Sequence, residues 1–74
     1  MSSGNDIRRL GKILREVRRE AGLSQEELAD RAGIHPTYVS QIERGLKSPT
    51  MRMLARLAKA LGTTPGKIIR LLEK

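Results

Sequence analysis

Leu23-Ser24-Gln25-Glu26-Glu27-Leu28 is a complete helix start compressed into six residues, and it stands directly after Gly22. Ser24 followed by Glu27 forms an S-x-x-E capping box, in which each residue satisfies a backbone N–H that the first helical turn leaves open. Leu23 before the cap and Leu28 at the fourth helical position form the hydrophobic staple that fixes the angle of entry. The helix that begins here spans about residues 25–32 and stops at Gly33. A second short helix follows at once. Pro36 after His35 occupies a first helical position, where its missing N–H costs nothing, and the segment closes near Arg44 and Gly45 with Val39 and Ile42 turned inward.

The flanks continue the helical reading. Ile7, Leu10, Leu14, Val17 and Ala21 recur at steps of three and four and predict a first helix over 6–21, ended by Gly22 in the left-handed region. Residues 1–5 are expected to form a flexible arm, with one domain over 6–74. After a loop at 46–49, Thr50 caps a fourth helix carrying Met51, Leu54, Leu57, Ala58 and Leu61, which Gly62 closes. Thr64-Pro65 opens a fifth with Ile68, Ile69, Leu71 and Leu72. Aromatic and β-branched runs are nearly absent, so the fold class is all-α with five helices. A chain of 74 residues forms a single small domain, with a core mainly of Leu, Ile, Ala and Val.

Two short helices joined by a few residues containing Gly outline a helix-turn-helix, here at about 24–44. Ala29 supplies the small side chain needed where the second of these helices crosses the first closely and steeply. Gly33 stands where positive φ is required, which a residue without Cβ tolerates. Leu28, Ala32, Ile34, Val39 and Ile42 provide the apolar faces that lock the pair together.

Charge narrows the partner. Fifteen Lys and Arg against eight Asp and Glu leave a formal charge of +7, which favours a polyanion: nucleic acid first, an anionic membrane surface second. The excess is uneven. Residues 1–20 carry +3, residues 21–43 carry −3 and residues 44–74 carry +7, so the helix-turn-helix itself is acidic and its flanks supply the attraction. No apolar run approaches a membrane span, and the start lacks the apolar core of a signal peptide. Without Cys, thiolate zinc sites, disulfides and thiol nucleophiles are excluded, consistent with a reducing cytosol. His35, the one histidine, reads as a helix cap or phosphate neighbour rather than a metal ligand. No grouping of nucleophile, base and oxyanion donors is visible, so the expectation is a non-enzyme with no cofactor and no metal.

Leu23-Ser24-Gln25-Glu26-Glu27-Leu28-Ala29, Ala32-Gly33-Ile34, Tyr38-Val39-Ser40-Gln41-Ile42-Glu43-Arg44-Gly45, Ser48-Pro49-Thr50 and Ala58-Lys59-Ala60-Leu61-Gly62 together closely resemble the Xre/Cro type of phage and bacterial repressors. The resemblance covers about residues 6–72. It implies a lambda repressor-like five-helix domain that docks its third helix in the major groove of operator DNA. On matching positions, Thr37, Ser40 and Gln41 would reach base edges, with Gln suited to adenine N6 and N7. Pro36 stands among these base-facing positions but departs from the pattern, since it cannot donate where many relatives carry a polar or basic side chain. A larger share of readout would then fall to DNA shape and phosphate contacts. Gln25 matches a phosphate-holding position at a helix N-terminus, and Tyr38, Arg44, Lys47 and Ser48 match further backbone contacts. Arg18 and Glu43 match a pair that orients the third helix.

The resemblance therefore implies a sequence-specific double-stranded DNA-binding transcriptional regulator, cytoplasmic and nucleoid-associated, acting on a palindromic operator. The run Thr37-Tyr38-Val39-Ser40 and the small single domain are similar to controller proteins of restriction-modification systems. Phage-type repressors are near alternatives, as is an antitoxin or protein-interaction module with secondary DNA binding and an unknown protein partner. Ile68, Ile69 and Leu72 form an apolar edge expected to make a homodimer, which would place half-sites about one helical turn apart. Met51 and Met53 read as core filler or dimer contacts.

Overall fold

Five helices follow one another in the computed structural model, which describes residues 3–74 and side chains from residue 5 onward. They are α1 (Ser3–Glu20), α2 (Gln25–Ala32), α3 (Pro36–Glu43), α4 (Met51–Ala60) and α5 (Pro65–Glu73), and no strand occurs among the described residues. Each of the last four begins on a side-chain cap. Ser24 Oγ accepts from Glu27 N at 3.0 Å while the Ser24 N–H donates to Glu27 Oε1 at 2.9 Å, completing the capping box. Thr50 Oγ1 accepts from Met53 N and Thr64 Oγ1 from Lys67 N. His35 caps α3 through Nδ1, and prolines occupy the first turns of α3 and α5. Gly33 ends α2 at φ 71°, and Ile34 N reaches back to Ala29 O at 3.0 Å, the left-handed closure that lets α3 start three residues later.

α1 starts earlier than the expected residue 6. Ser3, Gly4 and Asn5 belong to the helix rather than to a loose arm, while Met1 and Ser2 lie outside the described residues. Apart from Gly4, which costs about 1 kcal/mol relative to Ala, nothing between Ser3 and Asp6 breaks a helix. Asp6 in the first turn also places negative charge where the helix macrodipole favours it.

α2 packs on α3 and α4, α1 packs on α3 and α5, and α4 meets α5. Their inward stripes form one core of Leu14, Leu28, Ala29, Ala32, Val39, Ile42, Leu54, Leu57, Ala58 and Ile68. Each fully buried Leu or Ile here is worth about 1.5 to 3 kcal/mol of transfer free energy, which is how helices of eight residues persist. Ala29 and Ala58 have no exposed surface, so the close crossings depend on their single methyl groups. Met53 packs half-buried against the core, whereas Met51 is largely exposed.

Candidate nucleic-acid interface

α3 has two chemically distinct faces. Val39, Ile42 and Glu43 are buried, and the residues between them by helical spacing, Thr37, Ser40, Gln41 and Arg44, turn outward as one polar strip. Thr37 and Arg44 at its two ends are exposed, Ser40 and Gln41 in its middle are half-buried, and Pro36 and Tyr38 beside it are half-buried as well. The strip begins at a cap made of His35 Nδ1, which accepts from Thr37 N at 3.1 Å. The cap and Pro36 shape the first turn of α3 locally, with Thr37 exposed, Tyr38 half-buried against the core and Val39 within it.

The other end of α3 is held from three sides. Arg18 Nε donates to Glu43 Oε2 at 2.7 Å and its second terminal nitrogen donates to Glu43 Oε1 at 3.0 Å, a bidentate pair in which both residues are 8% exposed. The remaining Arg18 nitrogen donates to Leu23 O at 2.8 Å, tying the connection before α2 to the same guanidinium. Hydrogen bonding to Glu43 raises the Arg18 pKa above its already high ordinary value, so the guanidinium stays cationic. Gln25 completes the set: its Nε2 donates to Glu43 Oε1 at 3.0 Å. One carboxylate thus joins α1, α2 and α3, and no buried side-chain polar atom among the described residues is left without a partner.

That network specifies how Gln25 is presented at the start of α2. One amide N–H is spent on Glu43, leaving the second N–H and Oε1 for an outside ligand beside the helix N-terminus. The 18 residues that separate Gln25 from Glu43 carry no local spacing signal, and the contact is legible only once the fold is known. Gly11 is a residue that sequence reasoning passed over. A Cβ there would run into the carbonyl oxygen of Ile42 and lie 2.8 Å from that of Glu43, so α1 rests its backbone directly on the last turn of α3. An isolated Gly inside a helical pattern is the available signal for such an approach.

Beyond α3 the chain turns at Gly45, φ 73°, where a Cβ would lie 2.8 Å from Arg8 Cγ, so this turn is pressed against the start of α1. Leu46, Lys47 and Ser48 are exposed. Lys47 Nζ lies 5.4 Å from the centroid of the Tyr38 ring, a cation–π contact that brings together two residues from the α3 face and the following loop. Gln25, the α3 strip and the Arg44 to Ser48 loop therefore border one another, with Arg44, Lys47 and Arg8 as cations around an acidic helix-turn-helix.

The apolar edge of α5 differs from the expected one. Ile68 is 1% exposed and belongs to the core, because α5 turns it toward α1 and α4, so it offers no surface to a second copy. Ile69 and Leu72 are half-buried, and Leu71, 43% exposed, lines a groove of about 290 Å³ with Ile13, Val17, Glu16 and Glu20 of α1. On α5 the accessible apolar surface is thus mainly that of Leu71 beside α1, while Leu46 and Met51, elsewhere on the molecule, are the more exposed large apolar side chains. No group of three or more His, Cys, Asp or Glu able to hold a metal occurs among the described residues, and no described helix is long and apolar enough to cross a membrane.

The family model described as helix-turn-helix matches residues 14–68. The HTH-type transcriptional regulator y4dJ of Sinorhizobium fredii is 42% identical over 65 residues, covering 86% of this chain and 84% of that protein. Control protein C.BamHI of Bacillus amyloliquefaciens is 37% identical over 67 residues, covering 88% and 83% respectively. Among solved structures, the restriction-modification controller protein C.AhdI from Aeromonas hydrophila matches with a TM-score of 0.84 at 38% identity, covering 86% of this chain and 97% of that one.

Proposed function

The chain belongs to the helix-turn-helix family, and from that premise we propose that it is a sequence-specific double-stranded DNA-binding transcriptional regulator of the repressor or controller kind, acting without catalysis on nucleoid DNA in the cytoplasm. The observation that carries the reading is the polar strip of α3, bordered on one side by Gln25 and on the other by the Arg44 to Ser48 loop. α3 enters the major groove, with Thr37, Ser40 and Gln41 at base edges and Pro36 making apolar contact only. Gln25, Tyr38, Arg44, Lys47 and Ser48 take the phosphates on either side. The acidic charge of the motif is offset by these and the flanking cations, so attraction to DNA is supplied around the reading helix rather than on it. Resemblance to two control proteins, one by sequence and one by fold, favours the controller type.

The active form in this reading is a homodimer on an approximate palindrome, paired through the α1–α5 seam where Ile69, Leu71 and Leu72 come to the surface. Selection of bound sequences from a random duplex pool, followed by salt titration, tests the whole. One palindrome should bind at least about a thousandfold more tightly than random duplex, with steep salt dependence. Gln41→Ala should relax choice at one base position, whereas Lys47→Ala should weaken all duplexes alike and lower the salt slope by about one. A flat salt response without sequence preference would overturn the reading. A wild type that sediments as a monomer at every concentration, alone and on DNA, would remove the dimer.

A further inference from the structure

Arg31 in the last turn of α2 and Arg56 and Lys59 on α4 line one open groove of about 390 Å³, floored by Ala32 and Ala60. All three cations are exposed, and none makes an ion pair within 4.0 Å; among the described residues the ion pair is that of Arg18 and Glu43. Glu27, one turn before Arg31, feels its charge but spends an oxygen on the Ser24 N–H. Three like charges around one groove repel one another. The negative ends of α2 and α4 account for Arg31 and Lys59, which stand in last turns, but not for Arg56, a full turn further back.

We infer that this groove is a docking site for an acidic helical segment of a partner protein. Arg56 and Lys59, three residues apart on α4, are spaced like two carboxylates one turn apart on an approaching helix, with Arg31 closing the far wall. The floor of two methyl side chains suits the aliphatic stems of glutamates. Arg and Lys side chains also bind phosphate, but a single phosphate would not span both α4 cations and the Arg31 wall as two carboxylates on one helix do. This groove also lacks the backbone N–H groups of a helix N-terminus, being built from the C-terminal halves of α2 and α4. Arg31 lies about 9 Å along α2 from Gln25 and Lys59 about 12 Å along α4 from Met51, and none of the groove's residues is among those that the proposed function assigns to the duplex. The protein then holds DNA with one surface and an acidic partner with another.

The test uses an end-blocked alanine-based helical peptide with two glutamates four residues apart, its glutamine counterpart, inorganic phosphate, and the selected duplex as separate probes of the isotope-labelled full chain. The glutamate peptide should move the amide resonances of residues 31–33 and 56–60 in a saturable way, and the glutamine peptide should not. Arg31→Ala, Arg56→Ala and Lys59→Ala combined should weaken that binding about tenfold, while lowering duplex affinity no more than a charge-matched set elsewhere on the surface does. The charge-matched set Lys12→Ala, Arg15→Ala and Arg19→Ala should leave the peptide affinity intact. Equal loss in the charge-matched set, equal shifts from phosphate at matched ionic strength, or displacement of the peptide by duplex would each overturn the inference. Peptide binding is read without DNA, so a failure of the regulator reading leaves it standing.

Discussion

The two ends of α3 are held by different kinds of force, although they are only about 10 Å apart along the helix. The N-terminal end is shaped locally: His35 caps it, Pro36 presets its first turn, and its outward residues are exposed or half-buried. The C-terminal end is shaped by the rest of the molecule, through the backbone of α1 at Gly11, the carboxylate shared by Arg18 and Gln25, and the turn at Gly45 pressed on Arg8. An eight-residue helix has little stability of its own. Its direction in space is therefore set where it is buried, and the exposed end is left free to differ in side chains without moving the helix.

That division predicts unequal sensitivities. The largest effect belongs to Glu43→Ala, which strands the Arg18 guanidinium in a site where it is 8% exposed and releases Gln25 as well. Equilibrium unfolding in urea should show a loss of roughly 3 to 5 kcal/mol, within the range for breaking a buried pair. Glu43→Gln, which keeps an acceptor and the shape, should lose less. A loss below about 1 kcal/mol for Glu43→Ala, in the range of an exposed pair, would mean that the C-terminal end is not anchored by this network.

Gly11→Ala comes next. Alanine is the better helix former by about 1 kcal/mol, so an unconstrained site would gain stability. Here the added methyl group meets the Ile42 and Glu43 carbonyl oxygens, both backbone, and α1 must shift away from α3. A net loss of about 1 to 3 kcal/mol is expected, as for other overpacked sites. Stabilisation by this substitution would show that α1 does not bear on α3.

What was legible beforehand follows the same line. Caps at Ser24, Thr50 and Thr64, prolines in first turns, and the left-handed Gly33 are nearest-neighbour signals, and all five helices could be placed from them and the apolar spacing. The start of α1 was misplaced because Gly4 reads as a break. Ile68 was assigned to an outer edge because apolar spacing on a short helix does not say which of Ile68, Ile69, Leu71 and Leu72 faces in; the packing of α1 and α4 does. The Gln25–Glu43 bond and the Arg31, Arg56 and Lys59 groove join residues 18 to 28 positions apart on different helices, and no periodicity encodes them. The outward strip of α3 was legible because its inward neighbours were.

At the local end the expected effects are smaller. His35→Ala removes the acceptor for Thr37 N and should cost about 0.5 to 2 kcal/mol in the same unfolding assay, with His35→Asn restoring most of it. Because α3 keeps its C-terminal anchors, the selected duplex should still bind the alanine variant with unchanged base preference. Altered preference would place control of the helix direction at its N-terminal end.

The smallest effect isolates a single charge at the other locally built start, that of α2. The Ser24 backbone N–H donating to Glu27, and then the Ser24 hydroxyl, hold the Glu27 carboxyl below its ordinary value. A carboxyl whose pKa is lower folded than unfolded adds stability that is fully present above the unfolded value and disappears as pH falls through the folded one. Glu27→Gln keeps an acceptor for the Ser24 N–H but cannot ionise. The wild type should therefore exceed this variant in stability at neutral pH, and the two should converge in the acid range below the ordinary glutamate pKa. The Glu43 variants should likewise stay apart from the wild type across neutral and alkaline pH, since Arg18 remains charged throughout. A gap between wild type and Glu27→Gln that persists unchanged into acid would mean that the capping box stabilises α2 through shape alone, and that charge adds to this fold only where it is buried.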